Sequence, residues 1–137
     1  MAFDIRRVEY FNATVRNEPG EAFELLGRLA DAGINLLAFS AVPTGGEQAQ
    51  LALFPEDSAR MTTTADRAGI DLDGPHSALL VQGDDELGAL AGVHARLFGA
   101  GVNVVASTGV ADGKGSFGYV VYVRPEEFTQ AARTLGV

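Results

Sequence analysis

RNEPGEAFELLGRLADAGINLLAFSAV, residues 16–42, returns 68 positions later and without a gap as DDELGALAGVHARLFGAGVNVVASTGV, residues 84–110. Gly20 falls on Gly88, Leu29 on Leu97, and Ala32-Gly33 on Ala100-Gly101. Asn35 falls on Asn103, Ala38 on Ala106 and Val42 on Val110. A period this long is not a solenoid unit, so the chain reads as two copies of one small fold. After what reads as a slightly longer loop in the second copy, FPEDSA (54–59) is matched by VRPEEF (123–128).

Each copy yields the same series of elements. Glu9 to Val15 is rich in aromatic and β-branched residues, as a strand requires. From Gly20 to Ala32 the apolar residues Phe23, Leu25, Leu26, Leu29 and Ala30 form a helical stripe. Asn17 sits where a helix cap belongs, Pro19 is tolerated in a first turn, and Gly33 ends the helix. Ile34 to Val42 is an apolar strand, Gly45-Gly46 a turn, and Gln48 to Phe54 the returning strand. Glu56 to Ala68 is a second, more polar helix stopped by Gly69, and Ile70 to Asp73 a short closing strand. The second copy gives strand 77–82, helix 87–99, strands 102–110 and 117–124, and helix 126–135. Its closing strand is short or missing, which leaves a sheet edge for the segment 69–83 or a second chain to cover.

The expected fold class is therefore α+β: two tandem ferredoxin-like βαββαβ repeats, residues 1–74 and 75–137, each an antiparallel sheet with both helices on one face.

Composition excludes several functions. Eighteen Asp and Glu against ten Lys and Arg give a net charge of −8. Nucleic acid and anionic membrane surfaces would repel such a chain. Cysteine is absent, so disulfides, thiol catalysis and thiolate metal sites are out. MAFDIRRVEY carries no signal-like apolar run, no stretch has the length of a membrane span, and the cytoplasm is the expected compartment.

Few motifs carry chemistry. Gly113 to Gly118 matches G-x-G-x-x-G, but a strand rather than a helix follows, and Asp112-Gly113 is a hairpin signature. His76 lies in a turn, and His94 aligns with Leu26 at a half-buried helix position. Neither has a carboxylate at metal-ligand spacing, and no metal or cofactor is expected. Asp84-Asp85-Glu86 stands just before a helix, whose positive end carboxylates stabilise. Two points recur with polar residues in both copies: Asn17 and Asp85 before the first helix, Asn35 and Asn103 entering the second strand. They either cap helices and satisfy turns, or hold a small ligand at a helix start.

With N-x-P-G, a helix, then A-G-I-N in the first copy, and G-A-L, a helix, then A-G-V-N in the second, the chain resembles the ACT domain family over nearly its whole length. It is most similar to small stand-alone proteins built of two such domains. The resemblance implies a regulatory module, not an enzyme, that binds a small molecule, usually an amino acid, at an interface between domains. It implies side-by-side pairing of domains through the second strand. Carried over by position, the loop residues Asn17, Pro19 and Gly20 would act with Gly101 and Asn103. Asp85 and Gly88 would act with Gly33 and Asn35. An ammonium is attracted by Asp85 but a carboxylate is repelled, so unequal sites are expected, Asn17–Asn103 the more competent. The expected partners are an amino acid, a second copy in a homodimer, and a partner enzyme or regulator. A ligand-free interaction module of the same fold is the alternative, and a small enzyme a more distant one.

Overall fold

The computed structural model describes residues 3–137. Six strands and four helices follow in the order β1 (Phe3–Arg16), α1 (Glu21–Asp31), β2 (Leu36–Gly45), β3 (Gln48–Pro55), α2 (Ser58–Ala68), β4 (Asp73–Asp84), α3 (Ala89–Gly99), β5 (Val104–Ala111), β6 (Ser116–Val123) and α4 (Phe128–Thr134). The fold is α+β with antiparallel strand pairs throughout. The chain divides into two compact units, residues 9–76 and residues 77–137 together with residues 3–8.

In the unit 9–76, β3 lies between β2 and β1. α1 turns Leu25 and Leu29 inward and α2 turns Met61 and Ala65 inward. Leu25, Leu29 and Met61 meet Phe11, Ala13, Leu51 and Leu53 of the sheet in one core, with Leu26 packed against it. Of the stripe expected from the sequence, Phe23 and Ala30 face outward instead, Phe23 being 80% exposed. The expected strand 70–73 is displaced: β4 starts only at Asp73, and Ile70 and Leu72 pack against the core instead. Gly74 lies so close to β1 that a Cβ there would stand 2.9 Å from the Tyr10 carbonyl oxygen.

The other unit repeats this plan. β6 lies between β4 and β5, and α3 buries Ala89, Val93 and Leu97 against Leu79, Val81, Tyr119 and Val121. The place of the closing strand is taken by residues 3–8 of β1, which run beside β4. Ile5 packs on this unit's core, and Arg7 donates to the Val137 carbonyl at 2.8 Å while lying over the Phe128 ring. The expected boundary at 74/75 falls inside β4.

The 68-residue offset survives folding. Ala13 pairs with Leu51 and Ala41 with Leu51; correspondingly, Val81 pairs with Tyr119 and Gly109 with Tyr119. Even the register shift between Leu36 and Ala38 recurs between Val104 and Ala106. The extra residues of the second copy therefore come after β6, not in the hairpin as the sequence suggested. There a single 3-10 turn, Pro125–Glu127, precedes α4.

Helix ends also repeat. Gly33 and Gly101 take φ of 78° and 72°, and Ile34 and Val102 donate back to Leu29 and Leu97 at 2.9 and 3.0 Å. Glycine alone adopts this left-handed stop without strain. The paired helices are then stapled crosswise. Arg28 donates to Ala68 O and Arg60 to Ala32 O; Arg96 donates to Thr134 O and Gln130 to Ala100 O.

Candidate functional site

The helix starts differ from the sequence reading. α1 is capped by Gly20 and α3 by Gly88, both left-handed at φ of 88° and 82°, and neither helix has a side-chain cap. Asn17 and Asp85 are exposed and cap nothing; Asn17 instead donates its backbone N–H to Glu47 O at 2.7 Å. Capping, one of the two explanations for their recurrence, is thus removed. At α3 the N–H groups of Leu90 and Ala91 lack partners within the helix, as at any helix start. α2 is the contrast: Asp57 accepts from the Arg60 N–H at 3.1 Å.

A groove of about 550 Å³ opens at the start of α3. Asp85, Glu86, Leu87, Gly88 and Leu90 form one wall, and Gly109, Val110, Ala111 and Phe117 the other. Two carboxylates stand beside a helix N-terminus and an apolar lining. Such a site attracts an ammonium at Asp85 and Glu86 and an apolar group between the walls; the helix N–H groups favour a carboxylate, and an ammonium on the same ligand offsets the repulsion of Asp85 and Glu86.

Of the expected residues, the groove gathers Asp85 and Gly88. Asn17, Pro19 and Gly20 form the corresponding exposed loop before α1. Gly101 and Asn103 stand beyond the other end of α3, about 16 Å along an eleven-residue helix, as Gly33 and Asn35 do for α1. Asn35 is engaged within its own unit: its amide donates to the Glu56 carboxylate at 2.7 Å. Gly33 faces Arg60, whose Nη2 would be 2.7 Å from an added Cβ. The sequence reading missed Leu90 and the Gly109–Ala111 wall, because strand and helix residues twenty apart meet only through sheet register.

Below the groove, His94 of α3 is hydrogen-bonded through Nε2 to the Tyr119 hydroxyl, with ring centroids 5.7 Å apart. Gly109 gives this ring its room, since a Cβ there would be 2.8 Å from Tyr119 Cδ1. By the 68-residue offset, Leu26, Leu51 and Ala41 occupy these positions in the other unit.

The G-x-G-x-x-G segment is a hairpin loop, with Asp112 accepting from the Lys114 and Ser116 N–H groups at 2.7 and 3.1 Å. Contrary to the sequence reading, His76 does have a carboxylate close by, since it bonds Asp73, three residues earlier, at 3.0 Å; it also lies against Tyr10. Burial first, and then the Asp73 carboxylate, push the Tyr10 phenol above its ordinary pKa. Among the described residues no three His, Asp or Glu side chains gather as a metal site, and no helix is long and apolar enough to cross a membrane.

The fold is that of aspartate kinase regulatory subunits. The regulatory subunit from Thermus thermophilus, in a ligand-free form, superposes with a TM-score of 0.62 at 15% identity, over 98% of this chain and 93% of that one. The Thermus flavus subunit gives 0.61 at 16% identity, with the same coverage of 98% and 93%. A Bacteroides thetaiotaomicron protein, BT0572, gives 0.79 at 18% identity, over 96% of this chain and 88% of that one. No family model and no curated protein sequence matches the chain.

Proposed function

We propose that the protein is a ligand-binding regulatory module of the ACT type, without catalytic activity of its own, and that its ligand is an α-amino acid. The observation that carries this reading is the groove at α3, where a helix start without a side-chain cap, two carboxylates and an apolar wall stand together. An amino acid has one group for each. The fold shared with two regulatory subunits supports the regulatory part of the reading. The output passes to a partner enzyme or regulator, or to the protein's own state as a homodimer.

The test is thermal unfolding against each proteinogenic amino acid. A ligand at a hundred times its dissociation constant stabilises the folded state by about 2.7 kcal/mol, a shift of several degrees. One amino acid is expected to raise the midpoint, and Asp85→Asn to reduce that rise. Absence of any shift, or a shift indifferent to Asp85→Asn, refutes the reading.

One feature favours the alternative, an interaction module without ligand. β2 and β5 stand at sheet edges, and Phe39, Val42, Val105 and Val110 on them are exposed. Such edges invite pairing with another chain. A dimer that forms and dissociates without regard to any amino acid would support it.

A further inference from the structure

A second concave site lies in the unit 9–76, away from the starts of α1 and α3. Ala32 at the end of α1 and Arg60, Thr63, Thr64, Arg67 and Ala68 of α2 line an open hollow of about 440 Å³. Spacings of three, four and seven residues put Arg60, Thr63, Thr64 and Arg67 on one helix face. No lining residue is acidic. The chain carries 18 acidic side chains and only ten basic ones, yet neither Arg60 nor Arg67 has a carboxylate partner among the described residues. Arg60 makes one long bond, 3.4 Å from Nη2 to Ala32 O.

The plain explanation is that Arg60 serves only to satisfy the carbonyl at the end of α1. The other copy argues against it. There the equivalent carbonyl, Ala100 O, is satisfied at 2.8 Å by Gln130, a neutral amide. The staple needs a donor, not a charge. Arg28 and Arg96, by contrast, are retained in both copies and make the other staple in each. Counted from the Arg60–Gln130 match, the corresponding positions along and just beyond α4 are Gln130, Arg133, Thr134 and Val137, so a pair of arginines is found only in this hollow. Gly33 contributes as well, since its missing Cβ leaves room for the Arg60 guanidinium.

We propose that this hollow binds a phosphate-bearing small molecule. Two guanidinium groups balance a dianion, and their planar forks match phosphate oxygens in pairs. The Thr63 and Thr64 hydroxyls add donors between them. The volume falls within the range of about 300–1,000 Å³ usual for small-molecule sites, so it has space for more than the phosphate itself.

The probe is pyrophosphate, titrated calorimetrically into the full chain with ionic strength held constant by potassium chloride, because exposed charges are screened by salt. Saturable binding is expected. Arg60→Gln and Arg67→Gln are expected to weaken it about tenfold or more each, the loss of a charge-assisted hydrogen bond. Glutamine is chosen because Gln130 shows that it can make the staple; unchanged urea midpoints verify that the variants fold. Arg133→Gln, on α4, is expected to bind as the unaltered protein does. Three results overturn the proposal: no saturable binding, equal weakening by Arg133→Gln, or citrate bound as tightly as pyrophosphate.

Discussion

Adding one methyl group to Gly109 tests how the two units differ at the floor of the groove. In Gly109→Ala the new Cβ would lie 2.8 Å from Tyr119 Cδ1 and 3.6 Å from Leu90 Cδ1. Carbon atoms rest at about 3.5–4.0 Å, so the ring must retreat by roughly 0.7 Å or more. Tyr119 is only 5% exposed and held by His94, so it has little freedom to do so. Overpacking of this kind costs about 1–3 kcal/mol. The other unit shows the remedy, since Leu26, Leu51 and Ala41 fill the same three positions. Replacing His94 and Tyr119 together by leucine removes both hydrogen-bond partners, which leaves no polar group stranded and is close to neutral on that account. In that background Gly109→Ala fills the space the ring vacated, and an alanine in a strand is favoured over glycine by about 0.5–1 kcal/mol. The substitution should therefore change sign, with a coupling of about 1.5–4 kcal/mol. Urea unfolding of the four proteins, at constant m, measures it. Equal destabilisation by Gly109→Ala in both backgrounds, additive within about 0.5 kcal/mol, would refute the argument.

Asp57→Ala should destabilise the protein by about 1 kcal/mol through loss of the α2 cap. Asn17→Ala should leave the urea midpoint within about 0.5 kcal/mol of its original value, because Asn17 caps nothing. The Tyr10 phenol should ionise above its ordinary pKa in the folded protein, and Asp73→Asn should bring it partly back, as read by the absorbance difference from Tyr10→Phe. The folded state then holds this proton more tightly than the unfolded state. Its contribution is fully present below pH of about 10, the unfolded value, and is lost as pH rises toward the folded one.

The sequence by itself determined the repeat, the fold class and most elements, because these rest on local periodicity. A 3.6-residue stripe makes α1 and α3, and a glycine at the same offset ends each. The expected site was legible only as two recurrent polar points. Local reading put Asn17 in the cap, whereas the chain enters α1 through a left-handed Gly20, a choice set by how the loop joins β1 to the helix. Non-local pairing decided the rest. Residues 3–8 complete the sheet of the second copy because β1 is long enough to run past its own unit, and nothing within those residues says which edge they will meet. Strand register brings Gly109 under Leu90 and Tyr119 under His94, 25 residues distant in sequence. The stripe Arg60, Thr63, Thr64, Arg67 can be read from spacing, but only the packing of α2 on the end of α1 makes it the wall of a hollow. Helices follow from the chain's own near neighbours. Sites follow from which distant residues the sheet holds together.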